Sequence, residues 1–234
     1  MNLQGGWAGD LRAWDVSDPA HPAALGGQLS EQHLPVRGMA ATSQGPYLYS
    51  AELFGTIRVW RTSDGAAPMA SGRVVSNQPI LSLAVDPSSR LAVTGGADNT
   101  IQLWDLSRPR SSTAIGKPLP VGGVVYSVGF ASDGKLLASG ALGQIRLWDT
   151  SAPAFTSAYG LPVTGHNGLV QVLLFSPRGN LLISGGEDGT VRLWQTDPGR
   201  TFAILCASTG RAMTPNLWKD YVSLALAYDP PCGE

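Results

Sequence analysis

The sequence predicts an all-β fold built from one antiparallel unit repeated along the chain, and three observations predict it. Five tryptophans, Trp14, Trp60, Trp104, Trp148 and Trp194, recur at separations of 46, 44, 44 and 46 residues. Each closes a short segment, LRAW, IRVW, IQLW, IRLW or VRLW, whose apolar–polar alternation is that of a half-buried strand. Glycine (29 of 234 residues) and proline (17) are abundant but lack the strict period of collagen, so the strands are short and joined by many turns.

The elements of each unit follow in order. In the Trp104 unit, LSLAVD reads as an inner strand closed by the Asp86-Pro87 bend, RLAVTGG as a second strand, GGADNT as a turn and IQLW as a third strand. The Trp148 unit repeats this as YSVGFASDGK, LLASG, the shortened turn SGALGQ and IRLW; the Trp194 unit as VLLFSPRGN, NLLISGG, SGGEDGT and VRLW. Upstream of Trp14 only MNLQ remains for a second strand, which leaves the first unit without an inner one. After Trp194 the pattern changes. Asp197 is suited to cap a helix with Pro198 in its first turn, and Phe202, Leu205, Cys206 and Thr209 follow helical spacing up to Gly210. Thr214-Pro215 then opens a second short helix carrying Leu217, Trp218 and Tyr221.

Residues 1 to about 197 resemble the WD-repeat β-propeller family, whose blades are four-stranded antiparallel sheets repeating every ~40–45 residues. The Trp-Asp pair stands at Trp14-Asp15, Trp104-Asp105 and Trp148-Asp149, whereas Trp60-Arg61 and Trp194-Gln195 depart from it. The resemblance implies about four and a half blades in an open arc or incomplete ring over 1–197, with a truncated first blade, followed by a helical tail over 198–234. The missing blades would come from an upstream segment or another chain; a strained five-bladed closure is the alternative. The tail is similar to the ending of large bacterial WD-repeat proteins, matching at Cys206, Gly210-Arg211, Met213-Thr214, Trp218, Tyr221, Tyr228 and Cys232, with Leu217 in place of an acidic residue. Such proteins carry upstream STAND or NACHT signalling domains, which implies a sensor or interaction role in bacterial signalling.

Composition excludes several functions. With 16 basic and 17 acidic residues spread along the chain, no electrostatic footprint for nucleic acid or an anionic membrane is present, and no apolar run approaches the ~20 residues of a membrane span. A cytoplasmic location follows. Cys206 and Cys232 form no C-x-x-C pair, and His21, His33 and His166 stand apart, so neither a metal nor another cofactor is expected.

Two motifs imitate active sites. His166, Ser184 and Asp188 supply the residue types of a Ser/His/Asp hydrolase, without a G-x-S-x-G elbow. The family resemblance instead implies a structural relay in which Asp188 orients His166, His166 bonds Ser184, and Ser184 meets the Trp194 indole. The Trp104 unit keeps Thr94 and Asp98 of this relay but has Ser76 where histidine is expected; the Trp60 unit keeps Ser50 with Phe54 in the aspartate position; the Trp148 unit keeps Ser139. The second imitation is GFASDGKL, a G-x-x-x-x-G-K without the following Ser or Thr and with a strand in place of the helix, so it reads as a turn. Arg12, Arg58, Arg146 and Arg192 recur two residues before their tryptophans and read as stems packed between blades. The expected function is therefore non-enzymatic binding of a protein or peptide by loops on a rigid scaffold, with Trp7, Leu53, Phe54, Asn167 and Glu187 as the candidate contact face.

Overall fold

The computed structural model describes residues 2–5, 11–26, 29, 35–63, 66–76, 78–178 and 181–197. The expected helices over 198–234 lie outside these residues, as does Trp7. Within them the chain is all-β, and every described strand pairs antiparallel.

Five successive sheets follow the tryptophan period. The first comprises β1 (Asn2–Gly5), β2 (Leu11–Asp15) and β3 (Ala23–Ala24). The second comprises β4 (Val36–Ala41), β5 (Tyr47–Glu52), β6 (Thr56–Ser63) and β7 (Ala66–Val75). The third runs β8 (Ile80–Val85), β9 (Leu91–Gly96), β10 (Thr100–Asp105) and β11 (Thr113–Pro120). The fourth begins with β12 (Ser127–Phe130), β13 (Leu136–Gly140), β14 (Leu142–Asp149) and the short β15 (Ser157–Ala158). The fifth is β16 (Val163–Phe175), β17 (Leu181–Gly186) and β18 (Val191–Gln195).

The expectation of antiparallel four-stranded units holds, with one long strand shared between two neighbouring units. The second and third sheets have four. The fourth and fifth are fused, because β16 starts as the outer neighbour of β14, pairing Val163 with Ile145, and ends as the inner strand beside β17, pairing Phe175 with Leu182. Gly165 (φ +154°) and Gly168 (φ +139°) turn the strand between these roles in backbone conformations that L side chains rarely adopt. Among the described residues, the first sheet has no strand inside β1 and the fifth none outside β18.

The core lies between sheets. In each of the first four sheets the residues three and one before the tryptophan point forward, onto the next sheet. Leu11 packs on Leu48 and Trp60; Ile57 and Val59 pack among Ile80, Leu83, Ala92 and Trp104; Ile101 among Val125, Val128, Leu137 and Trp148; Ile145 and Leu147 among Val170, Leu173 and Leu182. Alternation along the third strand decides this face, and the next tryptophan completes the layer. The GFASDGKL segment is a tight turn: Gly134 N–H donates to Ala131 C=O at 2.9 Å, Asp133 caps the Lys135 N–H, and β13 starts at Leu136.

Candidate functional site

Two features stand out: a slot beneath the turn that joins the second and third strands of each sheet, and the forward face of the fifth sheet.

Every sheet from the second to the fifth ties its tryptophan to a hydroxyl on the neighbouring strand. The indole N–H donates to Ser50 Oγ from Trp60 at 2.9 Å, to Thr94 Oγ1 from Trp104 at 3.0 Å, to Ser139 Oγ from Trp148 at 2.9 Å and to Ser184 Oγ from Trp194 at 2.8 Å. All four hydroxyl residues are buried. The sheets differ in what sits above the hydroxyl.

In the fifth sheet it is His166. Its Nε2 lies 2.7 Å from Ser184 Oγ, and its Nδ1 lies 3.0 Å from Asp188 Oδ2. A consistent direction runs through the chain, with the Trp194 N–H donating to Ser184, Ser184 O–H to Nε2, and the Nδ1–H to Asp188. The Asn167 N–H and the Thr190 hydroxyl, opposed by partial burial, hold the Asp188 carboxyl well below the usual carboxylate range, with the Thr190 N–H and His166 adding to the shift. Gly186 makes the slot possible, because a Cβ there would lie 2.5 Å from His166 Nδ1. Ser184 has no exposed surface, and its oxygen is engaged on both sides by Trp194 and His166.

The second sheet fills the same slot with an ion pair that the sequence reading missed. Glu52, at the register position of Gly186, is almost fully buried and accepts from Arg58 Nε. The signal was present in the sequence, since a glutamate stands where the aligned units have Gly96 and Gly186. In the fourth sheet, which has the shortened turn, Ala141 takes that position and packs in one cluster with buried Val121 and Val125. The third sheet keeps Gly96 and Asp98 but has Ser76 in the loop, and the slot opens into a cavity of about 530 Å³. Of the remaining recurrent arginines, Arg146 lies over the Trp148 ring at 5.8 Å and Arg192 Nε donates to Thr190 Oγ1 at 3.3 Å.

The candidate contact residues are not brought into one patch. Phe54 is exposed at the tip of the second sheet's turn, beside half-buried Leu53, whereas exposed Asn167 and Glu187 stand on the fifth sheet, three sheets further along. Glu187 accepts from Gln171 at 3.1 Å, and the Asn167 N–H is committed to Asp188 at 2.9 Å.

The forward face of the fifth sheet is more distinctive. Val191 and Leu193 occupy the positions of Ile101 and Leu103, and of Ile145 and Leu147, yet they are 73% and 66% exposed where those four are between 0% and 9%. Val172 and Leu174 on β16 add to the same exposed apolar face. Among the described residues no cluster of His, Cys, Asp or Glu is placed to hold a metal, and no helix is long and apolar enough to cross a membrane.

A family model described as WD domain, G-beta repeat matches residues 72–105, 119–149 and 160–195. The matched segments fall on the third, fourth and fifth sheets. Among solved structures, the Swd1 β-propeller domain of Myceliophteria thermophila superposes with a TM-score of 0.68 at 15% identity, over 84% of this chain and 61% of that one. The shared fold is that of a β-propeller, the described sheets being successive blades. Among curated relatives, chicken serine-threonine kinase receptor-associated protein is 52% identical over 40 residues, 17% of this chain and 11% of that protein. The Caenorhabditis elegans ribosome biogenesis protein BOP1 homolog is 44% identical over 69 residues (28% and 10%), and bovine transducin beta-like protein 3 is 27% identical over 123 residues (52% and 15%). The matched segments thus span only 10–15% of these curated relatives.

Proposed function

We propose that the chain is a non-enzymatic protein-interaction scaffold: an arc of WD40 blades whose open end receives one further blade of the same kind. The observation that carries this reading is the forward face of the fifth blade. Four preceding blades bury the equivalent residues, Leu11 and Ala13, Ile57 and Val59, Ile101 and Leu103, Ile145 and Leu147, each against the next blade. Those interfaces define the occupant's chemistry as an apolar inner pair of strands with a tryptophan behind it. Burying a Val or Leu side chain is worth about 1.5–3 kcal/mol, so Val172, Leu174, Val191 and Leu193 supply a substantial driving force for assembly.

Burial of Ser184 supports the non-enzymatic reading, because its Oγ has no free approach for a substrate carbonyl. Exposed Phe54 is the second contact point of the scaffold, suited to a peptide or protein surface. The tail's likeness to bacterial WD-repeat proteins extends the reading to a cytoplasmic sensor that works with an upstream signalling domain.

Sedimentation of the purified protein, alone and with a co-expressed WD-type partner blade, tests the proposal. A complex of defined stoichiometry that Val191→Glu/Leu193→Glu abolishes, and Phe54→Ala leaves intact, is the expected result. Assembly that survives the double glutamate variant removes the forward face from the account, and labelling of Ser184 by an activated phosphonate in folded protein would restore the hydrolase.

A further inference from the structure

The slot beneath the turn of the third blade holds the two ends of a hydrogen-bond chain without its middle. At one end the Trp104 N–H donates to Thr94 Oγ1 at 3.0 Å, and no acceptor for the Thr94 hydroxyl proton is found among the described residues. Thr94 is only 4% exposed. At the other end, Asp98 is held in the turn by the Thr100 N–H at 3.2 Å and the Thr100 hydroxyl at 2.8 Å, as Asp188 is held by Thr190. In the fifth blade the corresponding ends, Ser184 and Asp188, are joined by His166. The residue at the histidine's register is Ser76, whose hydroxyl instead accepts from the Gln78 N–H at 3.2 Å.

The space has not been closed by other side chains. Where the second blade inserts Glu52 and the fourth Ala141, the third keeps glycine, and a cavity of about 530 Å³ lined by Ser76, Ile80, Thr94, Gly96, Asp98 and Trp104 remains open to solvent. A buried hydroxyl with a proton to donate and a carboxylate with capacity to accept are complementary to a ligand that accepts at one edge and donates at the other. In the fifth blade the imidazole that fills this place meets the indole edge-on, with ring centroids 6.3 Å apart.

We infer that this cavity is a binding site for a neutral imidazole ring, accepting from the Thr94 hydroxyl and donating N–H to Asp98. The ring belongs either to a histidine on a partner's loop or to a small imidazole-bearing molecule. The inference stands on the third blade alone and is independent of what docks on the fifth.

The probe is imidazole itself, titrated into the whole protein while the Trp104 indole N–H resonance is followed; that resonance is assigned by its loss in Trp104→Phe. A saturable shift is expected, with a dissociation constant roughly in the millimolar range for so small a ligand. 1-Methylimidazole, which has no N–H to give Asp98, should produce no saturable shift. Asp98→Asn, which retains an oxygen for the turn, should weaken binding roughly tenfold or more through loss of a charge-assisted bond. Ser76→His should fill the cavity from within, abolish the response to imidazole and raise the thermal midpoint. An acetyl-Gly-His-Asn-Gly amide that binds tighter than imidazole assigns the site to a partner's histidine; binding of imidazole alone assigns it to a small molecule. No saturable shift with imidazole, an equal shift with 1-methylimidazole, or an undiminished imidazole response in Ser76→His overturns the inference.

Discussion

Glu52 and Gly186 occupy the same register position in two blades, eight residues before Trp60 and Trp194 respectively, and the choice between them decides what fills the blade's interior slot. Glycine admits a histidine from β16; glutamate enters the slot itself and takes Arg58 as its partner. A repeat can thus hold its backbone constant while its buried polar centre changes from blade to blade.

The ion pair gives the first prediction. Arg58→Met leaves the nearly fully buried Glu52 carboxylate without its charged partner and should cost about 3–5 kcal/mol. Glu52→Leu combined with Arg58→Met should recover most of that loss, since an apolar pair needs no compensation. Urea unfolding of the two single variants and the double variant checks both outcomes, and a double variant as unstable as Arg58→Met would contradict them.

For the relay, Ser184→Ala removes the acceptor of the Trp194 N–H and one of the partners of His166, and a loss of about 1–3 kcal/mol is expected. Ser50→Ala, which disconnects only an indole, should cost less. Hydrogen exchange should show the larger change in β17 and β18 for Ser184→Ala and in β5 and β6 for Ser50→Ala.

Acid and alkali should each destabilise the protein through a named group. The Asp188 carboxyl has a folded pKa below its ordinary value of 3.8, so its contribution is complete above pH 3.8 and is lost as pH falls through the folded value. Asp188→Asn should flatten that part of the acid limb; an unchanged limb would mean that Asp188 is not its source.

At the other end of the scale, burial pushes the Tyr49 phenol up to about 12, with Tyr47 adding to the shift and the nearby Ser112 opposing it, although the Tyr49 hydroxyl makes no hydrogen bond of ordinary geometry. Its contribution is complete below pH 10 and lost as pH rises towards 12. Tyr49→Phe removes an unsatisfied buried hydroxyl and should leave stability at neutral pH equal or higher while reducing the alkaline loss.

The fold was legible because its determinants are periodic. The tryptophan spacing and the alternation before each tryptophan specify strands, turns and the buried face together, and no single blade is needed to carry the signal. The fusion of the fourth and fifth blades through β16 was not legible, because it passes through the positive-φ backbone of Gly165 and Gly168 and not through any apolar pattern. His166, Ser184, Asp188 and Trp194 could be aligned from the repeat, whereas Glu52 with Arg58 was missed although Glu52 stands where the aligned units have glycine. Exposure of Val191 and Leu193 was equally hidden, since their sequence is that of the buried pairs and only the lack of a following described blade distinguishes them.

The account rests on the fifth blade's forward face being an unfilled inter-blade interface, and unfolding of Leu193→Glu beside Leu103→Glu, at a protein concentration dilute enough to keep the chain monomeric, tests it most directly. Leu103, 2% exposed between two blades, should tolerate no charge, whereas Leu193, 66% exposed, should accept one with a change within about 0.5 kcal/mol. Equal and severe destabilisation by the two substitutions would contradict the account, because Leu193 would then already be covered within the monomer.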